Sequence, residues 1–179
     1  MAFIAPSGLQ VGPTAGASRD RYMNAISAKM HQSANTKLPH PVLIIDGTPI
    51  EIWIKGIISN HLGEDGTSCL VPAQGWLIDE AELNSAWKLL FPQDENCSTF
   101  VPLLICSDDL DLVCTVAVVE QIVENEKIIW NRFGRAVDVT NGIVTSVQWN
   151  KQEQRAEFLK EEFQLACSEL KRLTDNEWV

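Results

Sequence analysis

The run of residues 99–149 constrains the fold of this chain more than any other feature. It contains two strongly apolar segments rich in β-branched residues, 112–119 and 128–133, separated by an acidic turn. Asn141-Gly142 follows between two further extended segments. Asn-Gly favours the type I′ turn of a β-hairpin because both residues accept a positive φ. The run therefore predicts consecutive antiparallel strands.

Further strand signals precede and open this run. Residues 42–45 and 50–55 flank Asp46-Gly47, which predicts another hairpin. Pro102 predicts that the strand at 99–106 lies at a sheet edge, because proline donates no ladder hydrogen bond. The 112–119 segment is apolar on both faces and is predicted to be a central strand. Together these signals predict an antiparallel sheet of about five to seven strands.

Two amphipathic helices are predicted to cover the sheet. Asp79 begins a pattern similar to a capping box, and the apolar residues after it recur at helical spacing as far as Leu90. Asn150 is predicted to cap a longer helix whose apolar face runs to Leu173. The predicted fold class is therefore α+β.

The first 40 residues differ in composition from the rest. Residues 1–17 are rich in Gly, Ala, Ser and Pro, which is typical of a flexible tail. Tyr22, Ile26 and Met30 recur at intervals of four, which predicts a short, weak helix. We therefore predict a flexible or peripheral N-terminal extension over residues 1–40 and a single α+β domain over residues 41–179.

The net charge of −10 is unevenly distributed, because residues 1–40 carry +3 and the remainder carries −13. A body this acidic repels phosphate backbones, so the sequence predicts that the chain does not bind nucleic acid. No apolar stretch is long enough to span a bilayer, and no signal-peptide pattern occurs at the start. We therefore predict a cytoplasmic protein that does not contact membranes.

The five cysteines and three histidines show no metal-binding or nucleophile spacing. The cysteine count is odd and no C-x-x-C pair occurs, which predicts free thiols buried in apolar or helical segments at Cys106, Cys114 and Cys167. No nucleotide-binding glycine loop and no catalytic serine motif occur either. The sequence therefore predicts no metal, no cofactor and no recognisable catalytic centre.

Acidic turns are the strongest polar signal. One turn holds Asp108, Asp109 and Asp111, and another holds Glu64 and Asp65. Carboxylates are the ligands that Mg²⁺ and Ca²⁺ prefer, but the spacing of the first turn does not fit a calcium-binding loop. A solvated turn is the preferred interpretation, because Asp favours turn geometry. The third interpretation is an acidic surface that binds a basic partner.

Residues 130–135 form a local aromatic and basic segment. Trp and Arg dominate binding energy at interfaces, so Trp130 and Arg132 are candidate interaction residues. The alternative interpretation is structural: both side chains lie on one face of a strand, and the guanidinium covers the indole ring.

Three classes of function remain open. The first is an acidic protein-binding module for a basic partner, and an immunity-type inhibitor of a basic bacterial toxin or enzyme is one form of it. Its predicted interaction residues are Asp108, Asp109, Asp111, Glu64, Asp65, Trp130 and Arg132. The second is an enzyme or small-molecule-binding protein with a dispersed site near Cys106, Asp108 and His61. The third is a structural subunit of a larger complex. The missing catalytic pattern favours a binding protein over an enzyme.

Overall fold

The computed structural model describes residues 23–33, 36–54, 70–91 and 94–177. These residues form a six-stranded and a three-stranded antiparallel sheet with four helices, which confirms the predicted α+β class; the second sheet is an addition to the prediction. The strands are β1 (Ile26–His31), β2 (His40–Ile45), β3 (Thr48–Pro49), β4 (Leu70–Pro72), β5 (Ser98–Cys106), β6 (Val116–Glu124), β7 (Lys127–Thr140), β8 (Ile143–Trp149) and β9 (Ala156–Leu159). The helices are α1 (Ile50–Trp53), α2 (Ala73–Trp76), α3 (Glu80–Leu90) and α4 (Lys160–Glu177).

The larger sheet follows the strand order β4-β5-β6-β7-β8, and β7 is its longest strand. One edge of β7 pairs with β6, while its other edge is shared: β9 pairs with residues 127–130 and β8 with residues 134–140. The predicted turn between β7 and β8 is confirmed, with φ of 53° at Asn141 and 72° at Gly142. The chain thus forms most of this sheet from hairpins between sequence neighbours.

Strand β6 is buried on both faces, as the apolar 112–119 segment predicts. Val116 and Val118 belong to one core cluster, whereas Ala117 and Val119 belong to the other. The strand begins only at Val116, and residues 112–115 belong to the preceding loop. The predicted start of this strand is therefore corrected by four residues.

Residues 26–31 form strand β1, so the helix predicted from Ile26 and Met30 is wrong. β1 pairs along its whole length with β2, whose six residues are all buried. The backbone of a buried strand needs hydrogen-bonding partners, and this requirement overrides a weak helical periodicity. Residues 1–22 lie outside the described residues, so the flexible tail stays a prediction.

The Asp46-Gly47 turn is confirmed, with φ of 49° and 80°, but the strand predicted over residues 50–55 is wrong, because residues 50–53 are helical. Only Thr48 and Pro49 pair with β2, and helix α1 follows at once. Pro49 has no N–H to donate and fits the position before a helical turn. Helix α1 carries Glu51 into a buried position.

Strand β5 is not the edge strand that Pro102 predicts, because β4 pairs with residues 104–106 on one side and β6 pairs on the other. Pro102 lies beyond the last paired residue of β4, and its carbonyl accepts a hydrogen bond of 2.8 Å from the Gln74 side chain. Because β4 has no residue paired with Pro102, the missing N–H of the proline leaves no acceptor of β4 without a hydrogen bond.

The two predicted helices exist, but the second begins later. The Asp79 side chain caps α3 by accepting the Glu82 N–H at 2.9 Å, as predicted. Residues after Asn150 instead form a loop and then β9, and α4 begins at Lys160. The first part of β7 needs a backbone partner, which β9 supplies. Phe163 and other apolar residues of α4 are buried as the periodicity predicts.

Asn24 links the two sheets through a long-range contact. Its N–H donates to the Glu157 carbonyl at 2.7 Å, and the Glu157 N–H donates to Asn24 Oδ1 at 2.9 Å. The Asn24 amide also donates to Asp46 Oδ2 at 2.6 Å. Helix α4 packs against β1, β2 and β9, so the small sheet and the last strand share one core.

Candidate functional site

Five carboxylates gather where the loop between β5 and β6 meets the start of α3. We call this set the acidic end, and it consists of Asp79, Glu82, Asp108, Asp109 and Asp111. The Ile78 N–H donates to the Leu110 carbonyl at 3.2 Å, and the Leu112 N–H donates to Glu82 Oε2 at 3.2 Å. The structure therefore places the three predicted aspartates on one surface with two acids of the α3 capping turn.

The loop that carries the three aspartates is held by its own polar groups. The Leu110 N–H donates to the Cys106 carbonyl at 3.1 Å and closes the turn. Asp111 Oδ1 accepts the N–H groups of Val113 and Cys114 at 2.9 and 3.2 Å. Asp108 and Asp109 are exposed. The loop thus presents these two carboxylates from a fixed backbone.

The acidic end has no cationic partner among the described residues. Four acids elsewhere in the described residues pair with lysine or arginine. These pairs are Glu95–Lys160, Glu120–Arg132, Glu157–Arg155 and Glu169–Arg172. Partial burial raises the pKa of Glu82, and the charges of Asp79 and Asp111 raise it further, although the Leu112 N–H opposes the shift. The acidic end therefore carries negative charge that no lysine or arginine among the described residues balances.

Two exposed apolar side chains lie among these carboxylates. Ile78 precedes Asp79 and is 75% exposed, and Val113 is 80% exposed. An apolar centre with a polar rim is typical of protein-binding surfaces. Neither residue has a sequence signal for this role, because Ile78 precedes a helix cap and Val113 lies in an apolar run. Both patterns ordinarily predict buried residues.

Cys106, Asp109 and Cys114 form a thiol–carboxylate cluster in which the ligand atoms all lie within 4.8 Å of one another. A hydrogen bond to Asp109, with smaller effects from burial and from Cys106, raises the pKa of the Cys114 thiol to about 11. Cys114 is exposed and Cys106 half-buried, which corrects the prediction that both are buried. The spacing of these residues is no known motif, so only the path of the loop brings them together.

Trp130 is fully buried, so the prediction that it contacts a partner is wrong. Glu120 pairs with Arg132 and Gln121 with Trp130, so Asn131 is the extra residue of a β-bulge. The bulge turns Trp130 into the core and leaves Arg132 exposed, so the two do not share a face.

Arg132 remains a candidate contact, but its charge is already paired. It donates to both Glu120 oxygens at 2.8 and 3.2 Å, and its guanidinium carbon lies 4.1 Å from the ring centroid of Trp149. Burial alone would raise the pKa of Glu120, but hydrogen bonds from Arg132 and Asn131 hold it below its usual range. The predicted stacking therefore occurs on Trp149 instead of Trp130.

Glu64, Asp65 and His61 lie outside the described residues, so their roles stay predictions. Of the alternative dispersed site, the structure describes only Cys106 and Asp108.

A buried polar group in the small sheet has no counterpart in the sequence predictions. It consists of Ser33, His40 and Glu51, and His31 extends it towards the surface, with Nε2 3.4 Å from Glu51 Oε1. The Ser33 hydroxyl donates to Glu51 and lies 3.1 Å from His40 Nε2. The serine proton is thus directed at Glu51 and not at the imidazole, which is not the arrangement in which a histidine base activates a serine nucleophile.

Lowering the pH from 7.5 to 5 is expected to destabilise the protein partly through His40. Burial lowers the pKa of His40, although the Glu51 charge opposes the shift. Below the usual histidine pKa of about 6.5, the unfolded state therefore binds more protons than the folded state. Stability is lost as pH falls through that value, until the folded-state pKa is passed. Urea denaturation across this range should show a smaller loss for His40→Gln than for the wild type. Equal losses in the two proteins would contradict the assignment.

Comparison of the chain with protein-family models, with curated proteins and with solved structures finds no match. Among the described residues, no helix combines the length and apolar character needed to cross a bilayer. The structure defines an α+β protein with two antiparallel sheets, and a fold class of this kind does not imply an activity.

Proposed function

We propose that this chain is an acidic protein-binding module whose acidic end contacts a basic surface of a partner protein. The observation that supports this is the set of five carboxylates that have no cationic partner among the described residues, while four other acids are paired. An uncompensated patch of one sign attracts and orients a partner of opposite charge and accelerates association.

Ile78 and Val113 supply the apolar part of the proposed contact. Ile78 is 75% exposed and Val113 80% exposed. A bound partner would cover this apolar area, and its removal from water would favour binding. The hydrogen bonds that fix the loop also reduce the entropy lost on binding, because the backbone is already ordered. The partner that fits this surface is a protein with a basic patch around a small apolar contact. An immunity-type inhibitor of a basic toxin or enzyme is one form of this proposal.

The double substitution Asp108→Lys with Val113→Lys is expected to reduce partner binding about tenfold or more, because it removes an apolar contact and reverses a charge on the contact surface. The measurement is affinity capture from native lysate at low and high salt, with mass spectrometry of the retained proteins. The matched control is Glu161→Lys with Val137→Lys, since both residues are exposed and the change in net charge is the same.

A supporting result is a basic protein that the wild type and the control retain at low salt, that high salt releases, and that the acidic-end variant does not retain. If the two double variants lose this protein equally, the acidic end is not the contact surface. If retention is independent of salt, recognition is not driven by charge.

A further inference from the structure

We infer that Cys106, Asp109 and Cys114 form a binding site for a thiophilic divalent cation of the zinc type. This inference does not depend on the proposed function. The three ligand atoms lie within 4.8 Å of one another. Tetrahedral zinc with sulfur ligands at about 2.3 Å and oxygen at about 2.0 Å holds its ligands about 3.5–3.8 Å apart. The three ligand atoms therefore need to approach one another by only about 1 Å to reach the spacing of three tetrahedral positions.

The backbone around the three ligands is already fixed. Cys106 ends β5, and its N–H donates to the Thr115 carbonyl at 3.0 Å, which ties the two ends of the loop together. Asp111 Oδ1 accepts the Cys114 N–H at 3.2 Å and so fixes the backbone of the second cysteine. Groups that orient metal ligands in this way raise the affinity of a site, because less freedom is lost on binding.

The ligand set selects the class of cation. Two sulfur ligands favour zinc and other thiophilic metals over Mg²⁺ and Ca²⁺, which prefer oxygen. Asp109 supplies a third ligand. A disulfide between the two cysteines would not require a carboxylate beside them, so the presence of Asp109 favours a metal site. Asp109 and Cys114 are exposed, so a cation has a path of entry and a water molecule can occupy the fourth position.

The experiment is a titration of the full, reduced chain with Co²⁺, followed by displacement with Zn²⁺. We expect a thiolate-to-cobalt charge-transfer absorption that saturates at a single equivalent and disappears on addition of Zn²⁺. Cys106→Ser and Cys114→Ser should each abolish this absorption. Asp109→Asn should weaken the affinity for Co²⁺ about tenfold or more.

Cys97→Ser is the matched control, because Cys97 is another exposed free thiol and lies before the opposite end of β5. It should bind Co²⁺ as the wild type does. Thermal melting without metal checks that each variant folds, and Zn²⁺ should raise the Tm of the wild type and of Cys97→Ser but not that of Cys114→Ser.

Three results would overturn the inference. They are a reduced wild type without the absorption, an absorption that survives in Cys106→Ser or Cys114→Ser, and an Asp109→Asn variant with unchanged affinity. The substitutions of the capture experiment leave all three ligands in place, so failure of the cation site and failure of the proposed function are distinguishable.

Discussion

Replacing Trp130 by Ala is expected to lower the free energy of unfolding by about 3–5 kcal/mol, because deletion of a fully buried indole leaves a large cavity. The ring is completely inaccessible and meets Phe133, Phe158 and Phe163 edge-on, with centroids 6.0, 5.1 and 5.7 Å away. Its N–H donates to Gln121 Oε1 at 3.0 Å. Urea denaturation followed by circular dichroism measures the loss.

Two substitutions control this prediction. Trp130→Phe keeps most of the apolar contact but leaves the buried Gln121 oxygen without its donor, which costs about 1–3 kcal/mol. Trp149→Ala removes the same side chain from a half-buried position and should cost less than Trp130→Ala. If Trp149→Ala is as destabilising as Trp130→Ala, the aromatic cluster around Trp130 is not the centre of the core.

Replacing Gly134 by Ala is expected to destabilise the protein by about 2–3 kcal/mol, because strand β8 occupies the space a methyl group needs. An added Cβ would lie 2.5 Å from the Gln148 carbonyl oxygen and 2.6 Å from Val147 Cγ1. Its distance from Trp149 Cα would be 3.0 Å. Two of these three atoms belong to backbone, which cannot rotate away. Thermal and urea denaturation check the prediction.

Gly75→Ala is the matched control, because the same methyl group would lie 3.8 Å from its nearest neighbour, Thr174 Cγ2. Gly75 is in helix α2, where Ala is favoured over Gly by about 0.5–1 kcal/mol. This variant should therefore be as stable as the wild type or slightly more stable. A Gly134→Ala variant with wild-type stability would show that β7 and β8 separate at little cost.

The parts of the fold that the sequence predicts are those decided by neighbouring residues. The turns at Asp46-Gly47 and Asn141-Gly142 require a positive φ, and the residues present accept it. The cap at Asp79 is likewise a local hydrogen bond. Such features depend on steric and hydrogen-bonding preferences within a few residues, so a single sequence contains them.

Several of the wrong predictions share a different cause, which is pairing with another strand. Residues 26–31 become a strand because β2 needs a partner, and residues 156–159 do so because β7 does. The bulge at Asn131 reverses the predicted orientation of Arg132 relative to Trp130. One extra residue in a strand shifts the in–out alternation of the side chains after it, so they turn to the other face of the sheet. Local composition does not reveal where such an extra residue occurs.

The candidate sites divide in the same way. The three aspartates at 108, 109 and 111 could be found from sequence because they are close together in one turn. Their association with Asp79 and Glu82 requires the packing of α3 against the loop. The buried group around Glu51 could not be found, since its members come from β2, α1 and the residues after β1.

The paired hydrogen bonds between Asn24 and Glu157 have a consequence for the order of folding. They join residues 133 positions apart, while the hairpins β5–β6, β6–β7 and β7–β8 join close neighbours in sequence. Closing a long loop is entropically costly when nothing between its ends is yet ordered. Once the hairpins have formed, the loop that must close to bring Asn24 to Glu157 is effectively shorter. We therefore expect the paired hydrogen bonds between Asn24 and Glu157 to form late in folding, after the hairpins of the larger sheet.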